Sequence, residues 1–166
     1  MTQATEDRLI RLDRMRYVKN TDSSRLCYLA ILANVLYFVS IYKSDVGSWY
    51  YQILIGASIV YNLLFMLMVF LSSEGVKNYQ KNYSWLLFAV GILQAVRIFI
   101  LPAQAHRALV QIGGTDVPAM GGGQYARVIF YLAASAVCLI AAALINLRKC
   151  GMLESHLNSL KEKGAV

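Results

Sequence analysis

Residues 26–42, 49–71 and 128–147 contain no Asp, Glu, Lys or Arg. That absence limits what the chain can fold into more than any other feature. At 1.5 Å per residue a 23-residue helix rises about 35 Å, enough to cross a hydrocarbon core of about 30 Å with some tilt. A fourth apolar run, 85–101, is shorter and carries Arg97, with Trp85 at one end and Pro102 just beyond the other. Beside three charge-free companions it reads as another span, with Trp85 as interface anchor and Pro102 as helix punctuation. The expected fold class is an all-α polytopic membrane protein of four transmembrane helices, with short amphipathic helices at both termini. The whole chain is 58% hydrophobic and 15% charged. A soluble domain is about 25% charged, so soluble globular, disordered and nucleic-acid-binding classes are excluded.

The basic residues set the topology. Outside the spans, six Lys or Arg precede the first, two lie between the second and third, and four follow the fourth. The outer segments carry Lys43 and Arg107, with Arg97 and Arg127 near outer span ends. This twelve-to-four bias places both termini in the cytoplasm and reads much of the net charge of +7 as a topology signal. The first span follows some 25 residues bearing six basic and four acidic side chains, so it is read as retained and not as a cleaved signal. The host is taken to be a plasma (inner) membrane.

Three regions follow. Residues 1–25 form a cytoplasmic segment in which Leu9, Ile10, Leu12 and Tyr17 share one broad side of a helix. Residues 26–147 form the four-helix domain. Within it lies an outer connection, 102–124, read as a short helix begun by Pro102 and then a mobile loop, GGTDVPAMGGG. Residues 148–166 form a cytoplasmic tail in which Gly151 stops the fourth helix and Leu153, Leu157 and Leu160 mark a second amphipathic one.

Polar groups within spans carry the functional information, because burying them in lipid is costly. Asn34, Asn62 and Gln94 are expected to bond between helices, each contributing about 0.6 to 2 kcal/mol. Small residues mark close helix contacts, including Gly91 and the alanines at 133, 134 and 141–143. The fourth span is richest in them, so it should be the helix most surrounded by protein. Arg97 shares a helical face with Gln94, Leu101 and Gln104, and Arg127 has Gln124 and Tyr131 at matching positions, with His106 and Arg107 nearby. No span contains a carboxylate, and the outer acids are Asp45 and Asp116 alone. Arg97, Arg127, Arg107 and His106 therefore read as an outer cationic set. Three partners compete for it: lipid phosphates reached by snorkelling, a carboxylate of another subunit, or an anionic substrate.

The chemistry that is missing narrows the function. There is no Walker A motif, no intramembrane Asp or Glu for ion coupling, no H-E-x-x-H, G-x-S-x-G or C-x-x-C, and an odd count of three cysteines. No catalytic residue, cofactor or metal is expected. The chain reads as a non-catalytic accessory or regulatory subunit of a larger membrane transport complex. Its partners would be membrane lipids and other membrane subunits, with any ATPase on a separate chain and no nucleic acid. The alternatives are a small homo-oligomeric channel or anion-selective carrier and, further off, a small membrane enzyme acting on an anionic amphiphile.

Overall fold

A computed structural model describes residues 3–41, 49–112 and 114–162. In chain order the elements are α1 (Gln3–Arg14), α2 (Thr21–Ile41), α3 (Trp49–Lys77), α4 (Lys81–Arg97), α5 (Leu101–Arg107), β1 (Leu109–Ile112), β2 (Thr115–Pro118) and α6 (Gly122–Glu162). The protein is mostly helical, and four of its helical segments are long and apolar enough to cross a membrane. Lys43 and Asp45 lie outside the described residues.

α6 is the central helix. α2 and α4 pack along it, and α3 closes the bundle against α2 and α4. Small side chains permit this: Ser135, Ala136, Ala142 and Ala143 of α6 are all buried, and α4 presents Gly91, where an added Cβ would lie 2.9 Å from Ile140 Cγ1. Such close backbone approach is how helices gain dispersion energy when lipid supplies no hydrophobic drive between them. α3 is the most one-sided helix: Phe65 and Val69 are buried while Leu63, Leu64, Leu67, Phe70 and Leu71 face out.

Three expectations about helix ends and loops are corrected. Gly151 does not stop the last helix: α6 runs unbroken for 41 residues, about 60 Å. A mid-helix glycine costs only about 1 kcal/mol, and here the residues around it are held, with Cys150 and His156 buried. α1 lies against this extension. Leu9 and Leu12 share a cavity wall with Met152 and Ser159, and His156 Nε2 sits 4.0 Å from Asp13 Oδ1.

Second, the single face drawn through Gln94, Arg97, Leu101 and Gln104 is interrupted, because the helix breaks next to Pro102 and a short helix begins there. Ile98, Phe99 and Ile100 donate three residues back, to Ala95, Val96 and Arg97, and α5 restarts with Pro102 in its first turn. A prolyl ring clashes with the carbonyl four residues before it, here that of Ile98, so the chain tightens and re-aims there.

Third, the Gly-rich connection contains a β-hairpin, an exception to the all-α expectation. β1 and β2 pair antiparallel from Leu109↔Pro118 to Ile112↔Thr115, turning at Gly114, whose φ is +84. Two short β-prone runs around a Gly-Gly pair are a hairpin signal, and reading the glycines as mobility missed it. The hairpin is anchored. Ala119 N donates to Ala108 O at 2.8 Å, and Met120 is fully buried among Tyr37, Ile41, Leu101, Ala105, Val128 and Leu132. Met120→Ala is therefore expected to lower stability by about 2 kcal/mol, measured by denaturant unfolding in mixed micelles. An unchanged midpoint would mean the hairpin is not seated there.

At the opposite end, where α1 and the α6 extension lie, a polar cluster ties the helix starts together. Asn20 Nδ2 donates to Asn146 Oδ1 and to Ser23 Oγ, each at 2.9 Å. Asn146 Nδ2 donates to Ser84 Oγ at 2.7 Å and to the Gln80 carbonyl at 3.3 Å. Lys149 Nζ reaches Asn20 Oδ1 at 2.9 Å and Asp22 Oδ2 at 2.7 Å.

Candidate functional site

Helical spacing brings a second polar cluster to the middle of the bundle. On α3, Ser58, Tyr61 and Asn62 stand at i, i+3 and i+4, and on α4 Gln94 and Arg97 stand at i and i+3, so each set shares one face. Asn34 of α2 and Ser135 of α6 complete the ring. Arg97 Nη1 donates to Asn62 Oδ1 at 2.8 Å, and Nη2 donates to Ser58 Oγ. The same Asn62 oxygen accepts Asn34 Nδ2 at 3.0 Å, and Asn34 Oδ1 accepts Gln94 Nε2 at 2.7 Å. Ser135 Oγ, 3.5 Å from Gln94 Nε2, donates to the Ala30 carbonyl at 3.0 Å.

Arg97 is the cation in this ring, and it is only 7% exposed. Its guanidinium carbon lies 4.5 Å from the Tyr37 ring centroid and 4.6 Å from that of Tyr61. Guanidinium stays charged at any physiological pH. Its desolvation is offset here by two π faces, a hydroxyl and an amide oxygen. No carboxylate joins in: among the described residues, none of the ion pairs includes Arg97. The arrangement can hold a positive charge in a fixed place inside the bundle. The groups against that charge are neutral: an amide oxygen, a serine hydroxyl and two tyrosine rings.

The four residues read as an outer cationic set do not converge. Arg97 points inward to Asn62 and Ser58. Arg127 is exposed and its Nε donates to the Gly123 carbonyl of its own helix at 3.3 Å. Arg107 is exposed at the end of α5. His106 is half-buried, stacks on Tyr125 at 4.3 Å between centroids, and donates from Nδ1 to the Met120 carbonyl at 3.1 Å. It braces the hairpin. Asn34, Asn62 and Gln94, by contrast, meet one another and Arg97.

As polar contacts of the cluster, Tyr37, Ser58, Tyr61 and Ser135 are not evident from the sequence reading, although Ser58 and Tyr61 lie on the Asn62 face and carry a usable spacing signal. Toward the hairpin end the cluster is covered by the apolar group around Met120. Gln124 Nε2, donating to the Ser40 carbonyl at 2.7 Å, ties α6 to α2 on that side.

Comparison with known proteins finds no matching family model, no matching curated protein and no matching solved structure.

Proposed function

We propose that this chain is a non-catalytic, multi-pass subunit of a plasma-membrane transport complex, with both termini cytoplasmic, acting as an accessory or regulatory component. The observation that carries this reading is the enclosed cation. Among the described residues Arg97 is the one buried Lys or Arg; it is bonded to neutral groups of the same chain and lies against Tyr37, a member of the apolar cluster around Met120. A solute path would need polar groups open to water along its length. What the protein offers instead is lateral surface: long apolar helix faces and, at the hairpin end, the exposed Arg107 and Arg127. The sequence carries no nucleotide-binding motif and no acid within a span, so energy coupling is assigned to another chain.

Purification in mild detergent followed by native mass spectrometry tests this. Other membrane subunits at fixed stoichiometry are expected. A pure homo-oligomer would overturn the reading in favour of a channel. Because Arg97 faces inward, Arg97→Gln should leave recovery of the complex unchanged. Charge reversal at Arg107 and Arg127 together should lower recovery at least threefold if those cations meet a partner's acids, a loss of about 0.7 kcal/mol or more. The opposite ranking would return the partner contact to Arg97.

A further inference from the structure

At the end of the bundle opposite the hairpin, a groove of about 570 Å³ runs between α1 and the extension of α6. Leu9 and Leu12 of α1 form one wall. Leu147, Met152 and Ser155 of α6 line it together with Arg148, which directly follows the charge-free run 128–147. From Leu147 to Ser155 the helix rises about 12 Å. In a bilayer the groove therefore begins at the hydrocarbon edge and crosses the headgroup layer, which is about 5–8 Å thick on each side.

Two features of α6 leave this groove open and its charge unmet. Arg148 is exposed, and among the described residues no ion pair holds its guanidinium, whereas Lys149 beside it is taken by Asn20 and Asp22. No acid lines the groove among the described residues; Asp13 lines the adjoining one, where Arg16 pairs with it at 3.2 Å. The second feature is Gly151, in the same wall and about one turn beyond Arg148. Glycine is a poor helix former in mid-helix, and at Gly91 a close helix contact accounts for it. At Gly151 an added Cβ would meet nothing within 4 Å, so the missing side chain leaves open space beside Arg148 and serves no helix contact.

Charge, apolar surface and depth together select the occupant. A guanidinium with free donors, next to the Ser155 hydroxyl, suits the oxygens of a phosphate. The leucines and Met152 suit hydrocarbon. Leu9 is 42% and Ile10 65% exposed, apolar surface beyond the span that an amphiphile covers. A soluble anion would leave these walls in water, and a zwitterionic lipid brings a cation along with its phosphate. We infer that the α1–α6 groove binds an anionic phospholipid, its phosphate on Arg148 and Ser155 and an acyl chain against Leu9 and Leu12. This assigns the headgroup to one cation, where a diffuse attraction between basic flanks and lipid would use them all. The site belongs to a single chain and stands whether or not the protein is a subunit of a complex.

Native mass spectrometry of the purified full chain in mild detergent, titrated with phosphatidylglycerol or phosphatidylcholine, tests this. Phosphatidylglycerol is expected to bind at least tenfold more tightly. Arg148→Gln should lower that preference at least fivefold, while Lys161→Gln, an equal loss of charge at an exposed position of the same helix, should leave it within twofold. Gly151→Leu keeps every charge and fills the groove, so it should weaken phosphatidylglycerol binding at least fivefold. If Gly151→Leu does not fold, the comparison of Arg148→Gln with Lys161→Gln decides. Equal losses in those two variants would mean diffuse charge alone, and unchanged binding in a folded Gly151→Leu would put the lipid elsewhere. Displacement of the lipid by glycerol 3-phosphate at equal concentration would make the ligand a soluble anion. Each of these results overturns the proposal.

Discussion

Asn62→Leu is expected to destabilise the bundle by about 3 kcal/mol, and adding Arg97→Leu should recover more than half of that loss. The reason is the asymmetry between removing a pair and orphaning one member of it. In the single variant Arg97 keeps its charge and its burial but loses the amide oxygen 2.8 Å from Nη1. Breaking one side of a buried charged contact costs about 3–5 kcal/mol in proteins, while replacing both sides with apolar groups is often near neutral. Hydrogen bonds between neutral groups in membrane bundles are weaker, averaging about 0.6 kcal/mol. Asn34→Leu should therefore cost less than Asn62→Leu, although it too breaks two bonds. The double variant leaves Ser58 Oγ and Asn34 Nδ2 short of one partner each, which sets its residual cost at about 1–2 kcal/mol. Unfolding of the four proteins in mixed micelles gives the coupling directly. Strict additivity of the two substitutions would mean that Arg97 draws its compensation elsewhere, from the two tyrosine rings or from lipid.

The sequence makes the class of the fold legible because a charge-free run of 17 or more residues has few other uses, and those runs map onto α2, α3 and α6. The central place of α6 follows from its alanines and Ser135, which leave room for neighbours on more than one side. Detail is lost where one residue's effect depends on contacts far away in sequence. Gly151 resembles a helix stop, yet the packing of Cys150 and His156 carries the helix through it. Tyr79 adopts a left-handed φ of 56 to end α3, with Gln80 N donating to Gly75 O and Tyr79 N to Val76 O. Glycine or asparagine normally marks such a cap, so a tyrosine there gives no local warning; what holds it is its hydroxyl on the Val18 carbonyl, 61 residues away.

The candidate site was half legible for a related reason. Polar residues inside apolar runs name themselves, so Asn34, Asn62, Gln94 and Arg97 stand out. Their mutual geometry does not. Arg97 sits close enough to one end of its run to be drawn outward on a linear map. It turns inward because α3 places Ser58 and Asn62 on its near side, with Tyr37 and Tyr61 against the guanidinium. Tyrosine and serine are common enough in spans that neither announces a cation's cradle.

The second large effect is expected at the other end of the bundle, where Asn146→Leu should cost about 3 kcal/mol. Leucine is close to asparagine in volume, so what changes is bonding. Asn146 is fully buried and ties two chain segments to α6 at once: Asn20, just before α2, and Gln80 and Ser84, at the start of α4. Removing it leaves a buried amide hydrogen, a carbonyl and a hydroxyl short of partners, at about 1 kcal/mol or more each. The damage should also be local. Asn20 would keep Ser23 and Lys149, so the start of α2 loosens without losing every tie, and hydrogen exchange should rise at residues 20–24 and 80–84 while the Met120 end stays protected. Asn146 and Ser135 are 11 residues apart on α6, about 16 Å along the axis, beyond the range at which substitutions without shared partners couple. Asn146→Leu combined with Asn62→Leu should therefore be additive, in contrast to the strong coupling expected between Asn62 and Arg97. Coupling above about 0.5 kcal/mol between the two ends would show that the two polar clusters act as one network running through α6.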